Sequence, residues 1–460
     1  MEAVPMQNSV AVAPADSELL SPRVRIGYSL GSLVTGAFGT VPGLLLLPYL
    51  TDTLGVSAGL AGLLVLAPKA WDVVANPLVG RVSDRTHTRW GARRPYLLGA
   101  GLTLAVLFVA LFAAPFGPVP PGGSPVLAVS YVAVAFLLTA TAFAFFQVPY
   151  VSMPAEMTDS AAERTRMMTW RVGLLATAIL VSGAVAPWIV DTTGGGIVGH
   201  RLMGLFVAAL MVIGTLCAFY GTATAPIGAV QASEPSLRAQ LKVVAANRPF
   251  RVLVACFVVQ ATGVAAMLAG VQYFADHVLH DHGATPLLFL TVVSPALVVT
   301  PLWRRIGERL GKVRGYILAS ATLTAATLAL VTAPLVPHFL VYAMIAVIGF
   351  GYAGQQLFGL ALLPDCIAYD TARTGKRQAG VFTGVWTAGE TLGLALGPGI
   401  FGQVLQLFGY VSSTTGVSAV QTSHAELGVL LGFTLVPAVI VGVALLFLRG
   451  FTTEVVPAAA

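Results

Sequence analysis

The chain has 460 residues, of which 57% are hydrophobic and 10% charged, and its mean hydropathy is +0.85. Soluble domains carry about 25% charge, so this composition excludes a water-soluble globular protein, which would lack a polar shell. The net charge of +6 does not point to nucleic acid, because the basic residues lie in short segments between apolar runs instead of forming one patch.

Residues 1–20 contain no basic segment followed by an apolar core, so they read as a disordered cytoplasmic tail without a cleavable signal, and the first span serves as the insertion signal. Apolar runs broken by charge, Pro or Gly then predict spans near 26–50, 57–80, 95–114, 126–150, 167–190 and 201–223. A polar stretch at 225–249 follows, in which Ser236-Leu-Arg-Ala-Gln-Leu-Lys-Val-Val is spaced for a short amphipathic surface helix. Further spans fall near 250–275, 285–303, 315–335, 338–363, 379–406 and 427–448, before a cytoplasmic tail at 451–460. Each run has about the length that crosses a bilayer as a helix, and irregular backbone cannot face lipid. Cys217, Cys256 and Cys366 fall in or beside these runs and read as small core residues, neither a disulfide framework nor a zinc site.

Basic residues accumulate after the second and eighth spans (Arg81 to Arg94, Arg304 to Arg314), in the linker and near Arg373 to Arg377, whereas 115–125, 191–200 and 409–426 hold almost none. The positive-inside rule therefore places both termini in the cytoplasm. Pro77-Leu-Val-Gly-Arg-Val-Ser-Asp-Arg85 is echoed by Pro301-Leu-Trp-Arg-Arg-Ile-Gly-Glu-Arg309 at an offset of 224 residues, and Pro154-Ala-Glu more loosely by Pro364-Asp. The expected architecture is an all-α polytopic membrane protein of twelve helices in two pseudo-symmetric six-helix bundles, 21–224 and 250–450, joined by the 225–249 linker.

In the second span, Lys69, Asp72 and Asn76 share one helical face, and Asp72 lies about 13 Å inside the span by helical rise. An ionised group there costs about 2.5–3.5 kcal/mol, so a Lys69–Asp72 pair is expected. Gly80, Asp84, Arg85 and Arg93 at the ends of two helices joined by a short loop, with Glu308 and Arg309 as the repeat copy, read as a gate whose carboxylates hold and release neighbouring helix ends. Gln147, Gln260, Gln355 and Gln356 are uncharged polar groups in spans, able to line a pathway or to bond between helices. Arg171 is a basic group in the fifth span that can reach the interior or snorkel. Glu390 has no basic neighbour in its helix and is the candidate proton carrier, with a structural partnership to Lys69 as the alternative. Gly27/Gly31 and Gly389/Gly393/Gly397 suit close helix packing. Asp276, His277, His280, Asp281 and His282 form a polar cluster read as solvated loop residues, not as a metal site. No HExxH motif, phosphate-binding loop or dinucleotide fingerprint occurs, which leaves enzyme and ATP-driven pump readings without residues to carry them.

Tyr49-Leu-Thr-Asp-Thr-Leu-Gly, Trp71-Asp72, Asn76-Pro77, Asp84-Arg-Thr-His-Thr-Arg-Trp-Gly-Ala-Arg-Arg-Pro95, Pro149-Tyr150, Glu163-Arg-Thr165, Asn247-Arg-Pro-Phe250 and Gly375-Lys-Arg377 together resemble the glycoside-pentoside-hexuronide:cation symporters of the major facilitator superfamily. The resemblance runs over most of the chain and implies the major facilitator fold. It also implies a cation site at Asp72 with Asn76 where a second aspartate is expected, and Glu390 in place of a lysine. For the substrate, Gly36, Gln147 and Val151 stand where sugar-binding residues are expected, and Arg171 matches the family's span-five arginine.

The expected function is secondary active transport by rocking of the two halves, with a glycoside-like or amphipathic small molecule coupled to a proton more readily than to sodium. Export of a secondary metabolite or lipid-like compound is the alternative, and a membrane sensor the non-transport one. The chain is expected to act as a monomer in the lipid bilayer of the cell membrane, with no cofactor, no metal and no nucleic-acid partner.

Overall fold

The computed structural model describes residues 20–118, 123–158, 160–226, 237–374, 379–414, 419–448 and 451. Outside these lie the expected tails apart from Leu20 and Phe451, residues 227–236 of the linker, Gly375-Lys-Arg377 and the Lys69 side chain.

Among the described residues helices are the only regular secondary structure. Helices α1 (Pro22–Leu30) and α2 (Ser32–Pro48) run on into a π-helical turn, Tyr49–Thr53, and together make the first pass. Single helices make the next five: α3 (Ala58–Asp84), α4 (Arg94–Leu111), α5 (Val126–Met157), α6 (Ala161–Thr192) and α7 (Gly196–Gly221). Helix α8 (Leu237–Ala246) forms in the linker where the amphipathic spacing predicts it. Then come α9 (Arg248–His277), α10 (Thr285–Leu310), α11 (Lys312–Ala329), α12 (His338–Thr374) and α13 (Ala379–Leu407). Helices α14 (Ser423–Phe433) and α15 (Leu435–Leu448) form one final pass broken at Thr434. Among the described residues ten passes are long and apolar enough to cross a membrane by length and composition, and α3 and α13, of 27 and 29 residues, pack alongside them.

Local chemistry sets the ends of these helices. Ser21 caps α1 by accepting from the Val24 N–H, with Pro22 at the first helical position, where its missing N–H costs nothing. Ser160 and Glu163 have the spacing of a capping box, and the Ser160 hydroxyl accepts from the Glu163 N–H at 3.3 Å. Asn247 caps α9 through the Phe250 N–H at 3.0 Å and donates to the Cys366 carbonyl at 3.0 Å, which fixes the start of α9 against α12.

Helices α1–α7 pack on one another, as do α9–α15, and small residues let them close. A Cβ on Gly27 would lie 2.5 Å from the Gly221 Cα, and one on Gly393 would lie 2.6 Å from the Val258 carbonyl oxygen. The two sets meet along α3 with α13, α6 with α10 and α2 with α9. Gly62 approaches the Gly399 carbonyl, and a Cβ on Gly402 would fall 2.6 Å from the Ala58 carbonyl, so α3 and α13 touch backbone to backbone. Among the described residues six hydrogen bonds are seen to join the sets, at the end away from the basic loops.

Candidate substrate and cation pathway

The antiparallel contact of α3 and α13 sets the level of the buried charges. Asp72 is ten residues beyond Gly62 and Glu390 twelve before Gly402, so helical rise puts them about 15 and about 18 Å from the glycine contact, within one turn of a common level. Asp72 is buried at 6% exposure, and Asn76 and Glu390 are half-buried. Tyr352 of α12 neighbours Glu390, and its hydroxyl accepts from the Gln356 amide at 3.2 Å. Of the other glutamines, Gln260 is taken up between helices, bonded to the Tyr316 hydroxyl at 2.6 Å and to Ser320 at 2.9 Å, and Gln355 is buried.

The guanidinium of Arg171 lies over the Tyr150 ring at 5.3 Å, and one nitrogen contacts the Met168 sulfur at 3.8 Å. Tyr150 is itself fixed, stacked on Tyr28 at 4.6 Å and donating to the Tyr28 carbonyl at 2.9 Å. Among the described residues no carboxylate pairs with Arg171 and its Nε has no partner. Gln147 is half-buried and Val151 is 46% exposed. Gly36 is closed off: a Cβ there would sit 2.7 Å from the Ala178 Cβ of α6, so the position has no room for a side chain.

At the basic end Arg93 is the hub. It is 6% exposed and bonds Ser83 at 2.6 Å, Asp84 at 2.6 Å and Glu156 at 2.6 to 2.7 Å, tying the ends of α3 and α5 to the start of α4. Arg85 is exposed, and a Cβ on Gly80 would meet only Val148 at an ordinary 3.8 Å, so neither is held by a close approach. The second half is assembled differently from the repeat-based expectation. Glu308 pairs with Arg304 one turn away on its own helix, both exposed, and Arg309 is exposed with no ion pair among the described residues. The counterpart of Arg93–Glu156 is Lys312–Asp365, at 2.7 Å, between the start of α11 and the end of α12. The legible signal for both was the looser echo of Pro154-Ala-Glu in Pro364-Asp.

At the opposite end the histidines diverge. His277 bonds the Tyr410 hydroxyl at 3.1 Å, His282 bonds Asp276 at 2.8 Å, and among the described residues no three His, Cys, Asp or Glu groups are arranged to hold a metal. Here sequence reasoning missed a set of cross-bundle contacts. Tyr410 donates to Asp52 at 2.8 Å, Thr51 and Tyr273 hydroxyls meet at 2.6 Å, and Gln403 and Gln406 bond the Gly59 carbonyl and N–H at 2.9 and 3.2 Å. Asp52, an acid near the end of an otherwise apolar span, was the available clue.

Two helical sets packed about glycine contacts, with buried charge at mid-depth between them, define an all-α multi-pass membrane protein of the transporter type. The family model described as MFS/sugar transport protein matches residues 27–453, and the chain belongs to that family. It is 29% identical to the uncharacterized symporter YnaJ of Bacillus subtilis, over 94% of this chain and 91% of that one. To the glucuronide carrier protein homolog of Escherichia coli it is 27% identical, over 92% and 90%, and to the isoprimeverose transporter of Lactiplantibacillus pentosus 26%, over 92% and 88%. Among solved structures it is similar to a D-xylose-proton symporter, with a TM-score of 0.66 at 15% identity over 94% of this chain and 98% of the other, a likeness of fold.

Proposed function

We propose that this protein is a cation-coupled symporter of a glycoside-like small molecule, working by alternating access between the two helical bundles. Relatives named as a glucuronide carrier homolog and an isoprimeverose transporter, matched along nearly their whole length, support the substrate class. The observation that carries the mechanism is the closure of one end, where six hydrogen bonds among the described residues join the two bundles. With the basic loops in the cytoplasm the end so closed faces outward.

In this reading Arg171, held over Tyr150 with an unpartnered Nε, grips the substrate, and Gln147 lines the same wall. Glu390 carries the coupling proton at the level of Asp72 and Asn76, with Lys69–Asp72 as its electrostatic partner. Arg93, Asp84 and Glu156 stiffen the cytoplasmic gate of the first bundle. The protein acts as a monomer in the cell membrane. Glu390→Gln is expected to abolish proton-driven accumulation in proteoliposomes while leaving substrate exchange, with pH and sodium varied separately; unchanged uphill uptake would sink the assignment. Export of a more apolar compound is a second reading, favoured by the closure of position 36 against Ala178, and the direction of flux under an imposed pH gradient separates the two.

A further inference from the structure

The π-helical turn that ends the first pass has its first two carbonyls satisfied by the residues that follow it, the Leu54 N–H donating to the Tyr49 carbonyl and the Val56 N–H to the Leu50 carbonyl, whereas further acceptors on this segment are met from outside it. The donors come from the other bundle. The Ser413 N–H bonds the Thr51 carbonyl at 2.9 Å, the Ser412 hydroxyl bonds the Val56 carbonyl at 2.8 Å, and the Tyr410 hydroxyl bonds Asp52 at 2.8 Å.

These three donors sit on one short run after α13, and that run is fastened to its own bundle. Gln421 accepts from the Val411 N–H at 2.9 Å and donates to the Val411 carbonyl at 2.8 Å, holding both backbone groups of one residue. His424 bonds the Phe408 carbonyl at 2.9 Å, and His277 of α9 bonds the Tyr410 hydroxyl from behind. Burial, with the neighbouring Asp52, holds the Tyr410 hydroxyl well above its ordinary value of 10, so it stays a donor.

We propose that residues 408–413 form a strap that closes the end of the pathway opposite the basic loops, and that this end opens when the strap peels as a unit off the turn Tyr49–Val56. The strap itself presents donors and the turn acceptors, so parting leaves each side with groups that water satisfies directly. Gln403 continues the same polarity at Gly59, while Gln406 reverses it. Next to the strap, the glycine contact of Gly62 with Gly399 and Gly402 brings the bundles close enough for these short bonds to form. The strap gains its meaning as an outer gate from the alternating-access reading, but the contacts can be tested without a substrate.

The test uses the full chain with Cys217, Cys256 and Cys366 replaced by alanine and one reporter, Leu268→Cys, placed where α9 meets Gly43 of α2. Reaction with a membrane-impermeant maleimide is measured from the side opposite the basic loops in oriented vesicles. Tyr410→Phe and Asp52→Ala are each expected to speed labelling about ten-fold, and the double variant little further, because each removes the same Tyr410–Asp52 bond. Labelling at the parent rate in both single variants, or fully additive effects, overturns the strap. As a second measurement free of folding defects, cysteines at 56 and 412 are expected to cross-link on oxidation and to stop outer labelling until reduced; absence of a cross-link overturns it as well. If labelling responds but no glycoside is ever carried, the strap stands and the symport reading falls.

Discussion

Arg93 shows how much one side chain organises. Its removal leaves Asp84 and Glu156 facing each other without their shared cation, and breaking a buried pair costs about 3 kcal/mol, somewhat less here because the partners keep some exposure. Arg93→Ala is therefore expected to lower the thermal midpoint in detergent by several degrees, and Arg93→Lys to recover part of it, since a lysine cannot fork to three partners. Lys312→Ala removes the half-exposed counterpart and is expected to cost under about 1 kcal/mol in the same assay. Gly36 makes the converse case. Gly36→Ala presses a methyl against Ala178 and is expected to cost about 1–3 kcal/mol, with Ala178→Gly in the double variant restoring the melting temperature. The sequence showed that position 36 departs from the family pattern. That the neighbouring helix fills the space is a fact of packing, which no single sequence spells out.

At the scale of elements, hydropathy and charge predicted nearly every helix because lipid permits little else, and α8 followed from its amphipathic spacing. Less legible were the breaks inside passes, at Gly31 and at Thr434, and the π-helical turn at Tyr49–Thr53, since each depends on what the helix meets. The repeat located two gate segments but not their partners, because an offset in sequence aligns α3 with α10 and says nothing of which neighbouring helix end supplies the charge. Gln260 illustrates the same limit. As a polar group in a span it suited a pathway, yet it bonds Tyr316 and Ser320 inside one bundle. Gln260→Ala is expected to reduce stability by about 1–2 kcal/mol while leaving substrate affinity unchanged, which paired melting and uptake measurements will check.

For the whole molecule, twelve passes and their grouping were visible from length, charge and repeat, whereas the closed end was not, because its bonds join residues more than 200 positions apart, such as Thr51 with Tyr273 and Asp52 with Tyr410. The glycine contact between α3 and α13 has a mechanical meaning as well. From Gly62 to Asp84 the helix extends roughly 33 Å, and Arg93 ties its far tip to its neighbours, so under the proposed alternating access the glycines would be the fulcrum of a rigid lever. A tilt on the order of 10° there sweeps the far tip through roughly 6 Å. Travel at the wide end is thus set by arm length: adding a helical turn near Asp84 lengthens the stroke without touching a single group at the fulcrum.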